Sequence, residues 1–196
     1  MNALTITLAV VASYFSGTIP TAIAVARSKG VDITTFGSGN PGASNVGRAL
    51  GTRYFALVML IDGLKGSVPT ALMLGDRHVA YACGAAAVVG HVFPVTRRFR
   101  GGKGVATGAG VLLAVHPVMM LIAFAGWLVI SRVTKKASLG SIAAVPIVIV
   151  ELIVGHTPAW ELWSMVGIGA LVEVRHLGNI KRLLSGSENR MSGSSS

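Results

Sequence analysis

Long apolar runs alternate with short polar segments along this chain. The runs occupy residues 3–26, 54–74, 78–96, 104–131, 139–155 and 158–175, and most lie near the ~20 residues a helix needs to cross a bilayer. The fourth run is the longest and carries "AVHPVMM" at its middle. Pro117 removes a backbone donor and His116 before it disfavours helix, which predicts a turn there. The alternative is one kinked helix, so the pattern allows seven helices or six.

Positive charge separates the two, because short cytoplasmic loops collect Lys and Arg. With a break at Pro117 and the N-terminus outside, the inner side holds Arg27, Lys29, Arg48, Arg53, Arg97, Arg98, Arg100, Lys103, Arg132, Lys135, Lys136, Arg175, Lys181, Arg182 and Arg190. That is 15 of the 17 basic residues, leaving Arg77 outside and Lys65 within a helix. Six helices would move Arg132, Lys135, Lys136 and the four basic residues of the C-terminal segment outside. The expectation is therefore an all-α, polytopic integral membrane protein with seven transmembrane helices. Its N-terminus lies outside, its C-terminus is cytoplasmic, and its fourth helix is unusually short. Residues 1–26 lack the charged start of a signal peptide and run straight into Arg27 and Lys29, which favours an uncleaved first helix. Residues 1–190 read as one membrane-embedded domain and 191–196 as a disordered polar tail.

Composition agrees: 52% of residues are hydrophobic, 12% are charged and the mean hydropathy is +0.68, values of a membrane protein. Seventeen basic against seven acidic residues give a net charge of +10. By itself this suits nucleic acid, anionic lipid or a phosphorylated substrate. The single cysteine, Cys83, excludes a disulfide framework or a CxxC metal site.

The topology gathers three polar, glycine-bearing segments on one face: "FGSGNPGASNVGR" (36–48), "GHVFPVTRRFRGGKGVATG" (90–108) and "VRHLGNIKRLLSGSE" (174–188). Irregular backbone at membrane depth is tolerated where it lines a cavity, so the three predict a shared polar site; three solvated loops are the alternative. In the first, Gly37, Gly39 and Gly42 have GxGxxG spacing, but no strand precedes them and no βαβ unit surrounds them, which excludes a dinucleotide fingerprint. What remains is a turn presenting Ser38, Asn40, Ser44 and Asn45. Its amides can form an anion nest, and Arg48 either grips phosphate or anchors the inner face. In the second, Gly104 follows Lys103 where a nucleotide-binding loop needs Ser or Thr, so a triphosphatase is excluded. Gly101, Gly102 and Gly104 still allow close backbone approach, and Lys103 sits where the next helix begins, an end whose free amides and partial positive charge favour a phosphate. His91, at the inner end of helix 3, is either structural or a substrate contact. In the third, His176 and Asn179 share a helical face, and Glu188 can tie the segment by a buried ion pair. A basic strip on anionic lipid explains Lys181, Arg182 and Arg190 well, but His176 and Asn179 less well.

Asp62 and Lys65 lie one turn apart within helix 2, where they neutralise each other or Lys65 extends the phosphate site. Glu151 is an intramembrane carboxylate without an evident partner. His78, His116 and His156 fall outside and carry no assigned chemistry. The three aspartates, Asp32, Asp62 and Asp76, are not clustered, so a two-metal phosphotransferase site is not expected.

Together the segments resemble the three motifs of the bacterial acyl-phosphate-dependent glycerol-3-phosphate acyltransferases, the PlsY-type family. "GSGNPGASN" with Arg48 resembles the first motif, "GHVFPV" followed by "GGKGVAT" the second, and "RHLGNIKRLLSGSE" the third. Ser44 stands where a threonine is usual, and "TRRFRGG" is more basic than the family pattern. The His-x4-Asp motif of other glycerolipid acyltransferases is absent; "HTPAWE", ending in Glu161, comes nearest but on the outer side.

The resemblance implies a multi-pass enzyme of the bacterial cytoplasmic (inner) membrane with its active site on the cytoplasmic side. It would transfer a fatty acyl group from acyl phosphate to the C1 hydroxyl of sn-glycerol 3-phosphate. The products would be 1-acylglycerol 3-phosphate and phosphate, at the entry to phospholipid synthesis. Family roles carry over to Ser38, Asn40 and Arg48, to Gly101–Gly104 as part of the glycerol phosphate site, and to His176, Asn179 and Glu188, the last for structural integrity. No metal or other cofactor is expected and no nucleic acid. The partners are the two substrates, membrane lipid and, as a candidate, the soluble enzyme that makes acyl phosphate.

Two phosphorylated substrates require cations, which Arg48, Lys103 and in one reading Lys65 supply. The acyl donor already has a good leaving group, so alignment and oxyanion stabilisation are the demands. The expectation is direct transfer, with Ser38 and Asn179 donating hydrogen bonds and His176 orienting the substrate. The base is His176, His91 or a phosphate oxygen of the donor. An organic-phosphate transporter would use the same basic mouth, but it needs polar residues through to the outer face, which is nearly all apolar.

Overall fold

The computed structural model describes residues 1–191, all helix and connection, with no strand among them. The first helical run breaks into α1 (Ala3–Thr18) and α2 (Thr21–Arg27). Asn2 caps its start by accepting the Thr5 amide at 2.9 Å. The break falls at Ile19–Pro20, where proline supplies no N–H. A short amphipathic helix α3 (Ala43–Leu50) leads into α4 (Thr52–Leu72), followed by α5 (Arg77–Val92). Next come α6 (Val105–Val115), α7 (Pro117–Thr134), α8 (Ala137–Val154), α9 (Ala159–Val174) and the short α10 (Leu177–Leu184).

The turn expected at Pro117 is present. His116 leaves the helical region (φ −143°, ψ 70°) and Pro117 opens α7 at its first position, where its missing donor costs nothing. The part of the fourth run before the turn is an 11-residue helix, ~16 Å long by the helical rise. Among the described residues, five helical segments are long and apolar enough to cross a membrane: Ala3–Arg27, Thr52–Leu72, Arg77–Arg97, Pro117–Thr134 and Ala137–Val154. The remaining two of the expected seven, α6 and α9, are apolar but shorter, at 11 and 16 residues. The polar tail expected at 191–196 lies, beyond Met191, outside the described residues.

Small residues set the closest helix contacts. A Cβ on Gly66 of α4 would collide with the Thr107 carbonyl, and one on Gly110 of α6 with the Gly63 carbonyl. Backbone-to-backbone packing of this kind replaces the hydrophobic driving force that lipid does not provide. It buries α6 behind α4. The α1–α5 pair is built the same way, with Gly90 against the Tyr14 carbonyl and Gly17 against Ala87.

The charged pair of α4 finds its use at the α1–α2 break. Lys65 Nζ lies 2.5 Å from Asp62 Oδ1 and donates at 2.6 Å to the Ile19 carbonyl. That carbonyl lies at the break, where it also accepts the Thr21 amide at 3.0 Å, and the buried ammonium is thereby satisfied inside the bundle. At the opposite end of the bundle, Glu161 of α9 accepts from Arg77 Nε (2.8 Å), Arg77 Nη2 (2.6 Å) and the Tyr81 hydroxyl (2.7 Å), with His116 Nε2 3.0 Å away. Glu161 therefore ties α5, α9 and the α6–α7 turn together. His116, to which the sequence assigned nothing, completes the network. Both carboxylate oxygens of Glu151 are buried without a hydrogen-bond partner among the described residues.

Candidate active site

The end of the bundle that carries the three polar segments encloses a cavity of ≈ 540 Å³. Ser38, Asn40, Asn45 and Arg48 from the first segment reach its wall, with His91, Lys103 and Gly104 from the second and His176 and Asn179 from the third. The cavity continues between apolar side chains of α4, α6, α7, α8 and α9, including Leu112, Ala123, Val148 and Ile168. From Ser138 to Ile149 along α8 this is ~16 Å at the helical rise. Leu60 and Leu64 of α4 and Leu121 of α7 both line it and are exposed, so it opens sideways toward the lipid-facing surface.

The polar end is organised around Glu188, whose side chain is fully buried. Its Oε1 accepts from Ser138 Oγ at 2.9 Å and from Asn179 Nδ2 at 2.7 Å, and its Oε2 accepts from Arg182 Nε at 2.9 Å. Asn179, thus oriented, presents its carbonyl oxygen to Lys103 Nζ, which donates to it. The Lys103 ammonium is pushed down to about 8, chiefly by burial and further by Arg182, Arg48 and Arg175, with Glu188 opposing. His176 is 1% exposed, and its Nδ1 lies 2.8 Å from the Val172 carbonyl. A carbonyl only accepts, so Nδ1 carries the proton and Nε2 is left as an acceptor. Burial, with Lys103 next, lowers the imidazole to about 4, which keeps it neutral at physiological pH.

The first segment is held by Asn45 at the start of α3. Its amide donates to the Ile33 carbonyl (3.2 Å) and the Phe36 carbonyl (2.9 Å), while its Oδ1 accepts from the Ser38 amide (3.3 Å) and Arg48 Nη1 (3.3 Å). Asn45, also a candidate substrate contact, reaches the cavity wall, and its amide hydrogens and oxygen shape the turn through these bonds. Arg48 also donates from Nε to the Arg190 carbonyl at 2.8 Å, which leaves the rest of its fork at the cavity wall. Ser38 Oγ accepts the Asn40 amide at 3.4 Å, and among the described residues no histidine or carboxylate hydrogen-bonds to it.

Two sequence expectations change here. Gly101 and Gly102 do not reach the cavity. Their amides donate at 3.1 Å to the Val92 and His91 carbonyls, and a Cβ on either would strike the end of α5. The amides left to meet an anion are those that open α6, where Gly104 turns the chain with φ 83°. Lys65 likewise lies outside the cavity, because Asp62 and the Ile19 carbonyl hold its ammonium. His91 reaches the cavity wall, but its ring packs under Gly102 with Nδ1 3.9 Å from Asp62 Oδ1. Glu161, the nearest approach to a His-x4-Asp pair, bonds Arg77, Tyr81 and His116, at the far end of the bundle.

The family model described as glycerol-3-phosphate acyltransferase matches residues 7–186. The chain belongs to the glycerol-3-phosphate acyltransferase family. Relatives of that name from Aquifex aeolicus and Rubrobacter xylanophilus are 43% and 44% identical over 185 and 195 residues. These alignments cover 92% and 96% of this chain and 96% of each relative. The crystal structure of PlsY (YgiH), an integral membrane glycerol 3-phosphate acyltransferase, in its glycerol 3-phosphate form superimposes with a TM-score of 0.91. The two chains are 42% identical and 95% of each is covered. The lysophosphatidic acid form superimposes with a TM-score of 0.88 over the same coverage. With its apolar helices, this member of the acyltransferase family is a multi-pass membrane protein.

Proposed function

We propose that this enzyme transfers a fatty acyl group from acyl phosphate to the C1 hydroxyl of sn-glycerol 3-phosphate, directly and without a metal. It would release 1-acylglycerol 3-phosphate and phosphate. The observation that carries the reading is one cavity with a cationic, hydrogen-bonding end and an apolar body open toward lipid. That division matches substrates that join phosphate to a long acyl chain.

In this reading Arg48, Lys103 and the amides opening α6 hold the two phosphates, each charged hydrogen bond contributing about 1.5–3 kcal/mol. The glycerol hydroxyl donates to His176 Nε2, the acceptor left by the Val172 contact. As its oxygen attacks the acyl carbonyl, Ser38, Asn40 and Asn179 lie around the developing oxyanion; one such donor is worth about 2.7–4 kcal/mol. The bond between the carbonyl carbon and the phosphate oxygen then breaks. The hydroxyl proton leaves on the released phosphate, so no group of the protein changes charge over the cycle. A histidine lowered to about 4 holds a hydroxyl well but is too weak a base to keep its proton. Ser38 without a base beside it supports direct attack over an acyl-enzyme.

Residues 1–190 act as one membrane-embedded unit with seven crossings, α6 and α9 being the short ones. The N-terminus is outside, and the site is on the cytoplasmic face of a bacterial inner membrane, where the phosphorylated substrates are. The positive-inside distribution supports that orientation. The soluble enzyme that makes acyl phosphate is the candidate partner at this face. The test uses purified protein in detergent, supplied with acyl phosphate and glycerol 3-phosphate. Phosphate release that requires both substrates, with no acyl group trapped on Ser38, supports the reading. Absence of release, or a Ser38 ester, overturns it.

A further inference from the structure

We propose that Arg175 is a positioning residue that holds the Gly101–Gly102 backbone so that Lys103 meets Asn179 inside the cavity. The proposal rests on the acyltransferase reading above, and the sequence had assigned Arg175 only to the basic inner face.

The loop has two edges, and each is fixed differently. Its amides are tied to the end of α5 through the Val92 and His91 carbonyls, both at 3.1 Å. Its carbonyls face the other way, toward the end of α9, where Arg175 donates from Nη2 to the Gly101 carbonyl (3.2 Å) and from Nε to the Gly102 carbonyl (3.3 Å). One guanidinium thus spans two successive peptides immediately before Lys103. A planar fork with donors at fixed separation can do this, whereas a lysine ammonium is a single point.

The placement couples two parts of the site. Arg175 is the residue that ends α9, and the next residue is His176. The same helix end that offers His176 Nε2 to the cavity therefore sets the loop from which Lys103 projects. The groups facing Lys103 are Asn179 and Glu188 from the third segment, with Arg48, Arg175 and Arg182 as neighbouring cations. Without the Arg175 grip the loop keeps only its α5 contacts, and Lys103 is free to leave Asn179 for solvent. Misplacement by about an ångström is enough to lose most of the rate benefit of a positioned group.

The experiment compares wild type, Arg175→Ala and Arg175→Lys as purified full-length protein. It measures steady-state phosphate release and, separately, the pH midpoint of Lys103 acetylation by acetic anhydride, followed by mass spectrometry. The expected result is a KM for glycerol 3-phosphate raised about tenfold or more in both variants, with kcat changed less, as for loss of a fixed charged contact. The Lys103 midpoint is also expected to move up from about 8 as the side chain escapes burial and a neighbouring cation. Wild-type constants and an unchanged midpoint in Arg175→Ala overturn the proposal. If Arg175→Ala does not fold, Arg175→Lys decides by the same two readings. If wild type itself releases no phosphate, the acyltransferase reading fails. The acetylation midpoint of Arg175→Lys, which keeps the neighbouring cation, then judges Arg175 alone, a shift supporting its hold on the loop and no shift overturning it.

Discussion

Lys103 and Asn179, 76 residues apart, are joined side chain to side chain, and Asn179 in turn donates to Glu188 at 2.7 Å. The relay fixes Lys103, the one lysine among the described residues that lines the cavity, to the segment that also bears His176. Asn179→Leu keeps the branching of the side chain but leaves Lys103 and Glu188 each short of a partner. It is expected to cost about 1–3 kcal/mol of stability and to lower kcat/KM by about a hundredfold or more. Thermal unfolding and phosphate release measured on one preparation check both numbers.

Glu188 collects three donors in a fully buried position. Glu188→Ala strands Ser138, Asn179 and Arg182 together. Because Arg182 is one-third exposed, the expected destabilisation is about 2–3 kcal/mol, below that of a fully buried pair. Glu188→Gln, which retains an acceptor for the first two donors, is expected to lose less. Equal losses for the two variants would remove Glu188 from its place as the organiser of this segment.

The Asp62–Lys65 pair gives a test by compensation. Removing one partner leaves an unpaired buried charge, expected to cost about 3–5 kcal/mol, so Asp62→Asn or Lys65→Met alone should express poorly. The double variant Asp62→Asn/Lys65→Met is expected to recover folding with a near wild-type KM for glycerol 3-phosphate, because Lys65 serves the α1–α2 break and not the cavity. A KM that stays raised in a folded double variant would return Lys65 to the phosphate site.

Gly101 and Gly102 meet different obstacles. A Cβ on Gly101 faces backbone carbonyls of His91 and Val92, and one on Gly102 faces the His91 ring. Gly101→Ala should therefore remain impaired in any background, whereas Gly102→Ala should be partly restored by His91→Ala. Measuring wild type, Gly102→Ala, His91→Ala and the double as a cycle detects the coupling; no coupling between 91 and 102 would contradict the packing.

Lys103 must be cationic to hold phosphate, and its ammonium is pushed down to about 8 by burial. The sign follows: the charged form is present below that value and is lost as pH rises through it. kcat/KM is expected to fall above about pH 8, and Lys103→Arg, whose fork stays charged, should flatten this limb while binding less well. His176, lowered to about 4, is expected to add no limb between pH 5 and 8. A profile for Lys103→Arg identical to wild type would assign the limb to another group.

Much of this protein was legible along the chain. Apolar runs near bilayer length marked the helices, Pro117 marked where one run divides, and the grouping of lysine and arginine placed three polar segments at one end. These are local or additive properties, set by solvation and by backbone donors that each residue has or lacks. The motifs also named the side chains that reach the cavity, among them Arg48, Lys103, His176 and Asn179. What tertiary structure decided is which polar atoms are already used. Gly101 and Gly102 looked like an anion cradle because glycine permits close approach, but the body they approach is α5. Lys65 looked available because nothing local shows that the Ile19 carbonyl, at the α1–α2 break, lies within its reach. Arg175 was legible only as one of the inner-side cations, and Ser138 not at all, until folding set them against the loop carbonyls and Glu188. Hydrogen bonds are exclusive and short-ranged, so their partners depend on segments brought together over many tens of residues, which spacing along one chain does not encode.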